Sequence, residues 1–261
     1  TTIDLDHMQW LGPDRDSIGR EKAGIARAGH PVVVGEDDPP QGLLSALATV
    51  GADVERAGQA FSVHARDGQT LWSHSDGAAF ALPDLALDAP CQQANAASAV
   101  AALHALRARL PWSPQAMSEG LRHAHLRGRL QRLGHAPERV VDVAHNPQAA
   151  RVLAQWLDEH PVAGRVHAVF GAMADKDVRG VLEALDGRIA CWHLGGLDGV
   201  TLRGLAVAAL AERCKDVLPD ATFDLHADIP AAWHAAVEQA RVDDMIVAFG
   251  SFFVVAEVLN D

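Results

Sequence analysis

At 261 residues, 49% of them apolar, the chain has material for two packed cores and lacks the polar bias of a disordered polymer. A formal net charge of −12 with no basic stripe excludes a nucleic-acid binder, which needs clustered Lys and Arg, but leaves small anionic ligands open. Three widely spaced cysteines (Cys91, Cys191, Cys214) fit neither a disulfide framework nor a zinc pattern and point to a reducing cytoplasm. No apolar run reaches the roughly 18 residues of a membrane span, and no secretory signal is visible, so a membrane partner is not expected.

In chain order, residues 1–5 read as a strand entered in mid-fold, with further chain expected upstream. Residues 17–27 read as a helix, 31–35 as a strand and 43–50 as a helix; 61–72 alternate around Asp67-Gly68, a hairpin signal. Helical patterns follow over 94–108 and 114–124. This mixture looks like the tail of a larger domain. The boundary is expected where Gly, His, Ala and Pro separate two apolar runs, within 134–138, giving units 1–136 and 137–261.

The second half alternates regularly. Strands are expected over 140–143, 166–170, 189–194, 222–225 and 245–249, and helices over 147–160, 176–185, 202–213, 230–241 and 252–259. Such βα alternation with short loops implies a parallel sheet covered on both faces: an α/β, doubly wound, Rossmann-like domain.

Four segments carry chemistry. In the first, Asp4-Leu-Asp-His-Met-Gln-Trp-Leu-Gly12 is continued by Ile18-Gly-Arg-Glu-Lys-Ala-Gly-Ile25. It offers His7 at a strand's end, where open α/β sheets bind ligands, and Lys22 on what is otherwise an ordinary solvated helix face. In the second, Gln92-Gln-Ala-Asn95, the asparagine reads as an N-cap, a place that also suits anions. The third is Gly128-Arg-Leu-Gln131 with Val140-Val-Asp142-Val-Ala-His145-Asn-Pro147. Here Asp142 ends a strand, Asn146 caps a helix and Pro147 opens it, while Arg129, Asp142 and His145 make a polar group larger than capping requires. The fourth comprises the loops from Gly171 to Asp177 and from Val247 to Phe252, containing Ser251, at the same sheet edge as Asp142.

Taken together, these strings resemble the folylpolyglutamate synthase/dihydrofolate synthase branch of the Mur ligase superfamily, over essentially the whole chain but only the later part of a typical member. Arg127, where a small residue or proline is usual, and Ala172, where Met is more familiar, depart from the pattern. The resemblance implies the tail of a P-loop-type Mur ligase central (ATPase) domain followed by a glutamate-ligase domain. It implies that His7 and an N-carboxylated Lys22 hold Mg²⁺ and that Asn95, Arg129 and Asp142 bind ATP. It also places His145 near the phosphates or incoming amino acid and Ser251 by the glutamate, with Lys22 and His145 as the catalytic pair. The expected reaction is ATP-dependent addition of L-glutamate to dihydropteroate or a folate through an acyl phosphate, by a cytoplasmic monomer. No G-x-x-x-x-G-K-[ST] phosphate cradle occurs in this sequence, so the 261 residues alone are expected to be inactive. The alternatives are another Mur-type amino-acid ligase or a non-catalytic nucleotide-binding fragment.

Overall fold

The computed structural model describes residues 2–5, 8–66 and 68–261, without the side chains of Met8 and Gln9. The expectation for His7 therefore lies outside the described residues. The chain forms two compact units, Thr1–His125 and Leu126–Asp261.

In the first unit, α1 (Met8–Leu11) leads to α2 (Arg15–Ala23). Asp14 opens α2 with a capping box: its carboxylate accepts from Ser17 N, and the Ser17 hydroxyl returns to the Asp14 amide. Next come β1 (Pro31–Val34), α3 (Gln41–Val50) and β2 (Asp53–Arg56), with β2 parallel to β1. Helices α2 and α3 touch backbone to backbone, because a Cβ on Gly42 would collide with the Asp16 carbonyl. The Gly42 amide is instead free to donate to Asp16 Oδ1 at 2.7 Å. Ile3, Ile18, Leu43 and Leu47 fill the core below them.

An antiparallel sheet follows, β3 (Phe61–Arg66), β4 (Gln69–His74) and β5 (Ala79–Leu82), and then α4 (Gln92–Ala105) and α5 (Pro114–Arg122). The expected hairpin is present, with Arg66 paired to Gln69. Fully buried Trp72 joins this sheet to α4 by donating Nε1–H to the Ala97 carbonyl at 3.1 Å. The strand expected at the start is not seen in the described residues 2–5. Ile3 is buried, but its amide donates to Glu36 Oε2 (3.1 Å) and its carbonyl accepts from Arg15 Nε (2.9 Å), so polar side chains replace a strand ladder.

The second unit holds β6 (Gln131–His135), β7 (Glu138–Val141), α6 (Pro147–Glu159), β8 (Val166–Phe170), α7 (Val178–Leu185) and β9 (Cys191–Gly195). It continues with α8 (Val207–Lys215), β10 (Phe223–His226), α9 (Ile229–Gln239), β11 (Met245–Phe249) and α10 (Phe252–Asn260). The sheet runs β10-β9-β8-β11-β7-β6, parallel except for β6. Helices α9 and α10 cover the face presented by Val141, Val169, Ile246 and Ala248. The intervening residues Val140, Ala168, Val247 and Phe249 point the other way and are equally buried, which leaves that face to α6, α7 and α8. The doubly wound reading holds. The expected boundary within 134–138 does not coincide with the division of the two units, because residues 131–135 are not a linker: they pair with β7 across the turn at Ala136-Pro137.

Candidate active site

Loops at the carboxyl ends of β7 and β11 assemble one polar group inside the second unit. Asp142 follows β7, and both of its oxygens are engaged: Oδ2 accepts from Leu130 N at 2.8 Å and Oδ1 from Ala144 N at 2.7 Å. Burial raises the Asp142 pKa above the usual carboxylate value, against the pull of the Leu130 and Ala144 amides and of nearby Arg129 and His145. The Leu130 amide is presented to Asp142 by a left-handed backbone, φ 43°, unusual for a branched residue. Gly128 precedes it at φ 71°, and a Cβ there would sit 2.9 Å from Val255 and 3.0 Å from Val143. The 128–130 segment is thus pressed onto the sheet, its Gly128 carbonyl accepting from Val143 N at 2.9 Å.

That geometry places Arg129 over the ring of Phe252, 5.6 Å from its centroid. His145 lies against the same ring at 6.0 Å, and its Nδ1 donates to the Val143 carbonyl at 2.8 Å. Gly250, at φ 112°, brings β11's loop against Gly171 and Phe170 too closely for any side chain. As expected, Asn146 caps α6 by accepting from Ala149 N (2.9 Å), with Pro147 in the first turn. Ser251 is buried and caps α10, its Oγ accepting from Phe253 N at 3.1 Å.

The first unit holds two of the expected site residues. Lys22 stands exposed in the last turn of α2, which ends at Ala23 where the sequence reading carries the helix on to residue 27. Its ammonium has no hydrogen-bond or ion-pair partner among the described residues. Asn95 is not the N-cap of its helix. Helix α4 begins three residues earlier, behind Cys91, and the Asn95 amide already donates to the Cys91 carbonyl (3.1 Å). Its exposed side chain donates to Gln92 Oε1 at 3.1 Å.

Sequence reasoning missed Phe252, the platform shared by Arg129 and His145, and the left-handed Leu130. An aromatic directly after Gly250-Ser251 at a sheet edge was the available signal for the former; nothing in the sequence marks the latter.

Residues 128–252 match the Mur ligase, glutamate ligase domain. The second unit is a Mur ligase C-terminal domain. Over 260 residues the chain is 38% identical to the dihydrofolate synthase/folylpolyglutamate synthase of Escherichia coli (strain K12), covering 100% of this chain and 58% of that protein. Among solved structures, E. coli FolC in complex with DHPP and ADP superposes with a TM-score of 0.87 at 36% identity, covering 99% of this chain and 59% of that one. A bifunctional folylpolyglutamate synthase/dihydrofolate synthase with Mn, AMPPNP and L-glutamate bound gives 0.85 at 37% identity, covering 99% and 59%. The chain is a homologue of these synthases and spans somewhat less than two thirds of their length. Among the described residues no helix is long and apolar enough to cross a membrane.

Proposed function

We propose that this chain is the later part of an ATP-dependent ligase that joins L-glutamate to dihydropteroate, to tetrahydrofolate, or to both. The observation that carries the reading is the meeting of Arg129 and His145 on Phe252, with buried Asp142 held by the Leu130 and Ala144 amides, in a Mur ligase C-terminal domain. ATP transfers its terminal phosphoryl group to the substrate carboxylate, and the amine of glutamate then displaces phosphate from the acyl phosphate. Catalysis of such transfer is mostly positioning and charge neutralisation.

Arg129 serves the nucleotide's negative charge with a planar fork of donors. Asp142 presents carboxyl oxygens that accept hydrogen bonds, so it serves the nucleotide's hydroxyl or amino donors and not its phosphates. His145 stands close to the phosphates or the incoming amino acid, and the Ser251 cap holds the helix end facing the glutamate. Asn95 contacts the nucleotide from the first turn of α4. Mg²⁺ supplies charge neutralisation when bound. Lys22 fits it once the exposed amine takes up CO₂ and becomes an oxygen ligand, with His7 as its partner. The enzyme acts as a cytoplasmic monomer.

The test is glutamate-dependent ADP release by the complete gene product, with dihydropteroate, tetrahydrofolate and a UDP-muramoyl peptide offered in parallel. Turnover confined to the pterin substrates supports the proposal. Turnover confined to the muramoyl substrate, or none with any, overturns it.

A further inference from the structure

A second constellation lies in the first unit, apart from every residue given a role above. His74 at the end of β4, Asp76 in the β4–β5 turn and His104 in the last turn of α4 place their ligand atoms within 4.8 Å of one another. Asp76 Oδ1 lies 2.9 Å from His74 Nδ1, and Oδ2 lies 2.8 Å from His104 Nε2. The two rings are 4.7 Å apart and both rest on Trp72. His104 is buried, and the His74 side chain is only 11% exposed.

The hydrogen-bond assignment around His74 does not close. Its Nδ1 accepts from the Asp76 amide at 3.2 Å, which puts the ring proton on Nε2 and sets the Nδ1 lone pair against Asp76 Oδ1. Moving the proton to Nδ1 leaves Nε2 facing Glu55 Oε2 at 3.8 Å as two opposed acceptors, and both of those atoms are buried without a hydrogen-bond partner. Either neutral tautomer leaves one pair of acceptors facing each other, which is costly in a buried setting. A cation between Nδ1 and Oδ1 removes the conflict, because Nε2–H is then free to point at Glu55. That histidine–carboxylate pairing is the one commonly found behind metal-bound imidazoles.

We propose that His74, Asp76 and His104 bind a divalent transition-metal ion, with Zn²⁺ as the best match to two imidazoles and a carboxylate. A tetrahedral zinc ion with bonds of about 2.0–2.1 Å sets its ligand atoms roughly 3.3 Å apart, so the short His74–Asp76 contact opens slightly and the widest ligand pair, within 4.8 Å, closes. Water completes the coordination. Asp76 Oδ2 also pairs with Arg107 at 3.2 Å, and this exposed guanidinium swings to solvent when the ion enters. The ion pins the β4–β5 turn to α4, so its role is structural and its occupancy stabilises the first unit by mass action.

The experiment takes the chelator-treated full chain and titrates it with Zn²⁺ against a chromophoric chelator, and with Co²⁺ to read the visible band of tetrahedral cobalt. One equivalent of zinc, a tetrahedral cobalt spectrum and a raised Tm are expected. His104→Gln lowers that affinity at least 100-fold, and Glu55→Gln, which leaves the ligands in place, lowers it about 10- to 100-fold. Lys22→Ala leaves the equivalent in place, which separates it from the magnesium site. Should His104→Gln fail to fold, Asp76→Asn at the turn takes its place. Zinc uptake unchanged by the ligand substitution, or no tetrahedral cobalt signal, overturns the proposal.

Discussion

Replacing Asp142 with alanine tests whether the carboxylate organises its loop as well as its ligand. Two buried amides, Leu130 N and Ala144 N, lose their acceptor together. Leaving a buried donor unsatisfied costs about 1–3 kcal/mol, so two give roughly 2–6 kcal/mol. Part of this is returned because an anion held in a dry site is itself unfavourable, which is why the Asp142 pKa is raised. A net loss of about 2–4 kcal/mol is therefore expected, with Asp142→Asn near half of it, since one amide keeps an oxygen. Urea unfolding of the chain, followed at a probe in the second unit, measures the loss.

The pH dependence adds a check on sign. A carboxyl group whose folded pKa lies above its unfolded value binds more protons in the native state through that window. Asp142 thus costs stability as pH rises from the ordinary carboxylate range through its raised value, and Asp142→Asn removes that slope. An Asp142→Ala chain within about 0.5 kcal/mol of wild type would refute the reasoning, because a carboxylate bonded to two amides in a buried loop cannot be removed that cheaply.

Three further outcomes are expected. His193 is buried and its pKa is pushed down to about 4, first by burial and then by His167, so the unfolded state binds the proton first and stability falls as pH drops from 6.5 toward 4. By pH 4.5 the loss relative to pH 7 amounts to roughly 2–2.5 kcal/mol, absent in His193→Gln; parallel acid-unfolding curves for the two proteins would exclude it. Gly128→Ala, which forces a Cβ onto Val255 and Val143 at a left-handed position, costs about 2–4 kcal/mol and displaces Arg129, seen as a lower melting temperature and a raised ATP KM. In the complete gene product, Lys22→Ala lowers kcat by orders of magnitude while leaving the melting temperature nearly unchanged, since the side chain is exposed; near-full activity would remove it from the site.

What could be read in advance follows from how each element is buried. Strands such as Val166–Phe170 and Met245–Phe249 are covered on both faces, so their apolar runs announced them to the residue. Strand β6, Gln-Arg-Leu-Gly-His, lies at the sheet's edge with polar residues and a glycine, and its Gly134-His135 end read as the start of a linker, which moved the expected boundary. Asp53–Arg56 and Ala79–Leu82 were invisible for related reasons, both very short and the first charged as well. Helix α8 was expected from residue 202, yet Leu202 is fully exposed and the helix begins at Val207. Within the site, Asp142, Asn146 and Pro147 stand where strand–turn–helix chemistry put them, because each acts locally. Asn95 does not, because its neighbours extended the helix past it. The meeting of His74 with His104 depends on the packing of α4, which no spacing along the chain encodes.

Strand β11 is the last strand of the second unit, yet it lies between β8 and β7 in the middle of the sheet, with all five of its residues buried. Until residues 245–249 leave the ribosome, the β6–β7 pair and the β8–β9–β10 ladder share no strand, and their facing edges stay open. During synthesis the domain therefore waits for its final strand, with apolar edges exposed for the whole interval. A cell that makes this chain slowly, or truncates it just short of Met245, hands its chaperones two half-sheets where one domain was meant to be.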